Sequence, residues 1–211
     1  MNFIDSMYDY KVNKYPWLVR IWERKKYAGP SSSKITYADE YPGRGFCGGT
    51  LVARRHVITA AHCLYHWNEE NTDIALAEMQ PDEVAVRIGD HDIEDDFDET
   101  ELPQRFVNVL RIEKHSQWHQ KIGYYTDHQN GYDIAILELA IDLDLNTYTP
   151  ACLAKSGEAL PFGQYGIAVG WGAIREFPWY GLPEVPHEVS LRIVRLNAAK
   201  CSDRYDGNRN C

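Results

Sequence analysis

Short runs of β-branched and aromatic residues recur along this chain, each bounded by residues that turn it. Residues 17–22, 46–52, 56–60, 84–89, 106–112, 133–139, 165–171 and 189–194 all have this character. Residues 106–112 alternate apolar and polar positions, as a strand with one wet face does. Residues 133–139 are almost continuously apolar, which predicts a strand buried on both faces. Ala53-Arg54-Arg55 reads as a hairpin turn between two of the runs. Only residues 60–64 suggest a helical turn. So many short strands with turn signals between them restrict the chain to an all-β barrel or sandwich.

The chain has 211 residues, enough for one large β-unit or two small ones. Residues 141–162 lack a sustained period and include Pro150 and Pro161. They are expected to link a first β-unit, residues 1–140, to a second, residues 163–211. The net charge of -9 leaves no basic excess to neutralise phosphates, which argues against a nucleic-acid partner. No apolar run approaches the roughly 20 residues that a membrane-spanning helix needs. Residues 1–20 are interrupted by Asp5, Asp9, Lys11 and Lys14, so no leader is legible. A removed leader, or a start inside a longer protein, is expected.

Five cysteines are present: Cys47, Cys63, Cys152, Cys201 and Cys211. None forms a Cys-x-x-Cys pair, which removes zinc-ribbon and thioredoxin readings. Cys47 and Cys63 flank the predicted hairpin and can close it, a cross-link that stabilises by about 3 kcal/mol. The odd count points to a partner outside this chain or to a shortened sequence. A secreted, oxidising setting is expected, with five reduced thiols as the alternative.

Several of these runs carry specific residues. Tyr15-Pro16-Trp17, Phe46-Cys47-Gly48-Gly49-Thr50-Leu51, Val57-Ile58-Thr59-Ala60-Ala61-His62-Cys63, Val86-Arg87-Ile88-Gly89-Asp90 and Asp133-Ile134-Ala135-Ile136-Leu137 follow one another, then Pro150-Ala151-Cys152-Leu153 and Gly170-Trp171-Gly172. In this order they resemble the trypsin/chymotrypsin-like serine proteases. The resemblance implies two antiparallel six-stranded β-barrels with the active site between them, the second barrel incomplete here. It implies His62 as general base and Asp133 as the acid that orients it. A serine hydroxyl is a poor nucleophile until such a base takes its proton.

The serine itself is missing. After Asp133 only Ser156, Ser190 and Ser202 remain, none in a Gly-Asp-Ser-Gly-Gly setting. Active members of the family begin with Ile-Val-Gly-Gly, whereas Phe3-Ile4-Asp5-Ser6-Met7 stands in that region. By the same resemblance Cys201 and Cys211 pair, and Cys152 ties the domain to a propeptide or light chain. The expectation is a serine endopeptidase, secreted, acting on proteins or peptides without a required cofactor and truncated before its nucleophile. The alternative is a non-catalytic homologue serving as a protein-binding module.

Residues 90–101 hold eight carboxylates. Such density favours a screening cation, and hard oxygen ligands favour calcium. The position resembles the calcium loop of trypsins, with Asp90, Asp92, Asp95 and Glu99 as possible ligands; a solvated acidic loop is the alternative. His62/His66 and His115/His119 stand four apart, but no HExxH motif accompanies them and zinc is not expected.

Overall fold

The computed structural model describes residues 8–9, 14–24, 26–27, 36–37, 44–67, 75–93, 103, 105–120, 132–172 and 183–194. Among them the strands are β1 (Tyr8–Asp9), β2 (Leu18–Glu23), β3 (Lys26–Tyr27), β4 (Thr36–Tyr37), β5 (Arg44–Ala53), β6 (His56–Thr59), β7 (Tyr65–Trp67), β8 (Ala75–Glu78), β9 (Val84–Ile88), β10 (Arg105–Lys114), β11 (Ala135–Leu139), β12 (Tyr165–Gly170) and β13 (His187–Arg192). Two single turns of 3-10 helix, Ala61–Leu64 and Pro81–Glu83, complete the regular structure among the described residues. The described fold is nearly all β. Among the described residues no helix is long and apolar enough to cross a membrane.

The chain divides into two compact units. One comprises residues 12–91 and 97–152; the other comprises residues 1–11, 92–96 and 153–211.

In the larger unit six strands close into an antiparallel barrel in the order β10-β11-β6-β5-β2-β9. Side chains alternate across a strand, so every second residue points inward. Val19 and Ile21, Val84, Val86 and Ile88, Val107 and Val109, and Ala135, Leu137 and Leu139 fill the interior by this rule. Register shifts in β5 and β10 supply the bends that closure requires. Gly49 faces three side chains of the barrel interior at close range. A Cβ there would stand 2.9 Å from Val57 Cγ1 and 3.1 Å from both Ile21 Cδ1 and Val19 Cγ2. The β5–β6 turn is tied to the end of β11, since Arg55 donates to the Leu139 carbonyl at 3.1 and 3.0 Å.

One strand departs from expectation. Residues 133–139 were expected to be buried on both faces, but in β11 only Ala135, Leu137 and Leu139 are buried and Ile136 is 41 % exposed. An antiparallel barrel wall has a single inner face, and apolar character on the outer face does not add a second layer. β9 shows the reverse. All five of its residues are buried, because the face opposite the core is covered by side chains rather than by another sheet. There Arg87, 2 % exposed, lies against the rings of Trp22 and Phe106 and pairs with Asp90 at 3.2 Å.

In the smaller unit β1, β13 and β12 form a three-stranded antiparallel sheet in that order, with Tyr165 paired to Arg192 and Gly170 to His187. Ser190 lies on β13 opposite Ile167, and Ser156 lies in an exposed turn.

Candidate active site

The β6–β11 ladder sets the geometry. Ala135 pairs with Thr59 in antiparallel register. Continuing that register by two residues brings Asp133 level with Ala61, beside His62. Beyond Thr59 the chain leaves the sheet and tightens into the 3-10 turn Ala61–Leu64, which buries Ala61, Cys63 and Leu64. Burying three of four residues turns His62 to the opposite side, where its side chain keeps 36 % of its surface. Two fastenings hold the turn to β5. The Thr59 hydroxyl donates to the Gly48 carbonyl at 2.8 Å, and Cys63 forms a disulfide with Cys47 across a Cα–Cα distance of 6.1 Å.

Asp133 occupies the centre of a three-residue turn in which the Ile134 N–H donates to the Tyr132 carbonyl at 2.7 Å. Both its oxygens go to one residue. Oδ1 accepts the His62 backbone N–H at 2.8 Å, and Oδ2 lies 2.6 Å from His62 Nδ1. The ring and the backbone of His62 are therefore held together by a single carboxylate. A carboxylate accepts only, so Nδ1 carries the proton of the neutral ring and the lone pair falls on Nε2. Nε2 stands 3.7 Å from Cys63 Sγ, a disulfide sulfur with no proton to give. Asp133 keeps 25 % of its side-chain surface, so it is half-buried rather than enclosed by the apolar residues that follow it.

The arrangement is that of a base whose tautomer and orientation are imposed by an acid. A sequence model described as trypsin matches residues 18–210. The chain belongs to the trypsin family. Members with detectable similarity include coagulation factor IX of Oryctolagus cuniculus, 34% identical over 133 residues, which is 61% of this chain and 40% of that protein. Chymotrypsin-like elastase family member 1 of Rattus norvegicus is 31% identical over 154 residues, 72% of this chain and 49% of the relative. Ovochymase-2 of Mus musculus is 28% identical over 181 residues, 85% and 23% respectively. The matched stretches thus span less than half the length of these relatives. The structure of neuropsin, a serine protease expressed in the limbic system of mouse brain, superposes with a TM-score of 0.64 over 97% of this chain and 70% of that one, at 21% identity. That likeness shows the fold: a trypsin-like architecture.

The other residues singled out in the sequence are distributed as follows. Cys152 is a free, exposed thiol, while Cys201 and Cys211 lie outside the described residues. Of the four possible calcium ligands, Asp95 and Glu99 also lie outside them, and Asp92 is half-buried. Asp90 is turned inward, with Arg87 at 3.2 Å and Arg20 at 3.9 Å. Burial pushes the Arg20 guanidinium below its usual value; Asp90 opposes that shift and Arg87 reinforces it. The histidines at four-residue spacing do not converge. His66 places its two ring nitrogens against Glu23 (2.9 Å) and Glu83 (3.2 Å), and His115 stacks on Tyr132. Cys47, His62 and Cys63 are close enough to share an ion, but the two sulfurs are bonded to each other and not available as thiolates.

Two features of the site have no signal in the residues taken alone. One is the His62 backbone N–H as the second donor to Asp133. The other is Tyr132, whose φ of 57° places it in the left-handed region.

Proposed function

We propose that this chain carries the base and the orienting acid of a serine-type endopeptidase, His62 and Asp133, and that the nucleophilic serine is supplied from outside these 211 residues. The observation that carries the reading is the double engagement of His62 by Asp133, at 2.6 Å to Nδ1 and 2.8 Å to the backbone N–H. A histidine so fixed presents Nε2 to take a proton from a hydroxyl and afterwards to return it to the leaving amine of a peptide. The Asp133 carboxylate stabilises the charged ring that forms between those two transfers. Attack on a peptide carbonyl then gives an acyl-enzyme, which water hydrolyses.

Family membership supports proteins or peptides as the substrate class. The Cys47–Cys63 disulfide supports a secreted setting. Exposure of Cys152 leaves it accessible to a cysteine of a propeptide or light chain. Neither Ser156 nor Ser190 has the surroundings of a nucleophile, since one stands in an exposed turn and the other in the exposed half of β13.

The test is fluorophosphonate labelling of two proteins: the 211-residue chain, and the same chain extended by the coding sequence that follows Cys211. The extended protein should label, and His62→Ala should lower its kcat/KM by at least about 10²–10⁴-fold. The 211-residue chain should not label. An extended protein that fails to label, and that carries another residue in place of the serine, would establish the protein-binding homologue instead.

A further inference from the structure

We propose that Tyr132 is a positioning residue: its left-handed backbone, clamped by ring stacking on His115, aims the Asp133 carboxylate at His62. The consequence for catalysis rests on the protease reading above; the geometry does not.

Among the described residues Tyr132 is the one non-glycine with positive φ, the others being Gly89, Gly157 and Gly163. Large side chains avoid this region, and it persists where surrounding structure imposes it. Burial of the ring does not impose it, because Tyr132 is 49 % exposed. The stack does. The His115 and Tyr132 rings lie 4.6 Å apart and within 15° of parallel.

His115 is itself anchored on three sides. Its N–H donates to the Ile134 carbonyl at 3.0 Å, which continues the β10–β11 ladder past the Lys114–Ala135 pair. Its carbonyl accepts the Trp118 N–H at 2.9 Å, and its Nδ1 accepts the Gln117 N–H at 3.1 Å. The ring that receives Tyr132 is thus rooted in the strand pair that also carries Asp133.

The left-handed residue has a defined effect on its neighbour. The three-residue turn, Tyr132 carbonyl to Ile134 N–H, is closed by the backbone of Asp133 itself, and the left-handed residue before it sets the direction in which that turn leaves the preceding chain. In that turn the carboxylate reaches both the ring and the backbone of His62. Were Tyr132 to relax into the extended region, the following peptide would rotate and at least one of those two bonds would be lost. Local chain conformation, one residue away from the acid, therefore decides where the acid points.

The test is NMR of the chain with labelled histidine, following solvent exchange of the His62 Nδ1 proton beside the melting temperature of each variant. Tyr132→Phe keeps the ring and should match the wild type. Tyr132→Gly tolerates positive φ and should keep the proton protected. Tyr132→Val is β-branched and resists that region, so its Nδ1 proton should exchange about tenfold faster. His115→Ala removes the stack without altering residue 132, and should also speed exchange; it carries the test if Tyr132→Val does not fold. Equal protection in wild type, Tyr132→Val and His115→Ala overturns the proposal, as does Tyr132→Gly behaving like Tyr132→Val. The readout needs no serine and no turnover, so a chain without protease activity can pass it and an active protease can fail it.

Discussion

Gly48 and Gly49 are adjacent in β5, and the barrel treats them differently. A Cβ built on Gly48 meets nothing within 4 Å, whereas one built on Gly49 stands 2.9 Å from Val57 Cγ1 and 3.1 Å from Ile21 Cδ1 and Val19 Cγ2. Carbon atoms in contact prefer separations of about 3.5–4.0 Å, so Gly49→Ala falls short by roughly half an ångström against three side chains at once. All three belong to fully buried residues, in the kind of close-packed interior that gives way little. Overpacking of this kind destabilises by about 1–3 kcal/mol. Lower entropy of the unfolded chain returns roughly 0.4–1 kcal/mol, leaving a net loss of about 1–2 kcal/mol. For a chain of this size that lowers Tm by about 2–8 °C. Gly48→Ala gains the unfolded-state term without the clash and should be neutral or slightly stabilising. Urea denaturation followed by tryptophan fluorescence compares the two. The double variant Gly49→Ala/Val57→Ala removes one colliding methyl, so it should be less destabilised than the sum of the two single changes. Equal stability of the Gly48→Ala and Gly49→Ala proteins would refute the argument that Gly49 is required for close approach of the barrel walls.

Asp133→Ala leaves the His62 backbone N–H without its acceptor and should cost about 1–3 kcal/mol in denaturant titration, alongside loss of the protected Nδ1 proton. Cys47→Ala/Cys63→Ala should lower stability by about 3 kcal/mol, and a loss well under 1 kcal/mol would show that the bridge does not constrain the unfolded chain. Arg87→Leu leaves Asp90 buried with Arg20 as its remaining cation among the described pairs; a loss of about 3–5 kcal/mol is expected, read by the same titration. Burial raises the hydroxyl of Tyr65 above its ordinary value, with Lys114 opposing, and burial likewise raises Tyr148, with Arg105 opposing. A raised folded-state value favours the protonated form. The resulting stability is present below the unfolded value near 10 and is lost as pH rises from there through the folded value. Tyr148→Phe should flatten that alkaline decline, and an unchanged slope would remove Tyr148 as its source.

Much of the barrel was legible because its signal is local. Val19 and Ile21, or Val107 and Val109, alternate with polar neighbours, and a period of two has one structural meaning. The turn at Arg54-Arg55 and the 3-10 turn around His62 were legible for the same reason. Residues 133–139 misled because hydrophobicity states what a side chain tolerates and not what covers it; Ile136 faces outward from a wall with one inner face. Arg87 is the converse case, on which the sequence carried no signal. A charged residue in a strand suggests a wet face, yet here Trp22 and Phe106 cover its guanidinium and Asp90 pairs with it.

The sequence by itself determined an all-β chain, a pair of cysteines placed to bridge a hairpin, and the two motifs that place His62 and Asp133 in the trypsin family; the structure shows that the two cysteines are bonded. Tertiary structure alone decided how those two residues meet. They are 71 positions apart, and what brings them level is the hydrogen-bonded register of β6 on β11. That register is a property of two strands together and is written in neither. The aim of the carboxylate depends in turn on one left-handed residue, Tyr132, and on the ring that His115 presents to it from the neighbouring strand. Backbone conformation and cross-strand packing are settled only when the barrel closes, because only then do the groups that impose them come within reach.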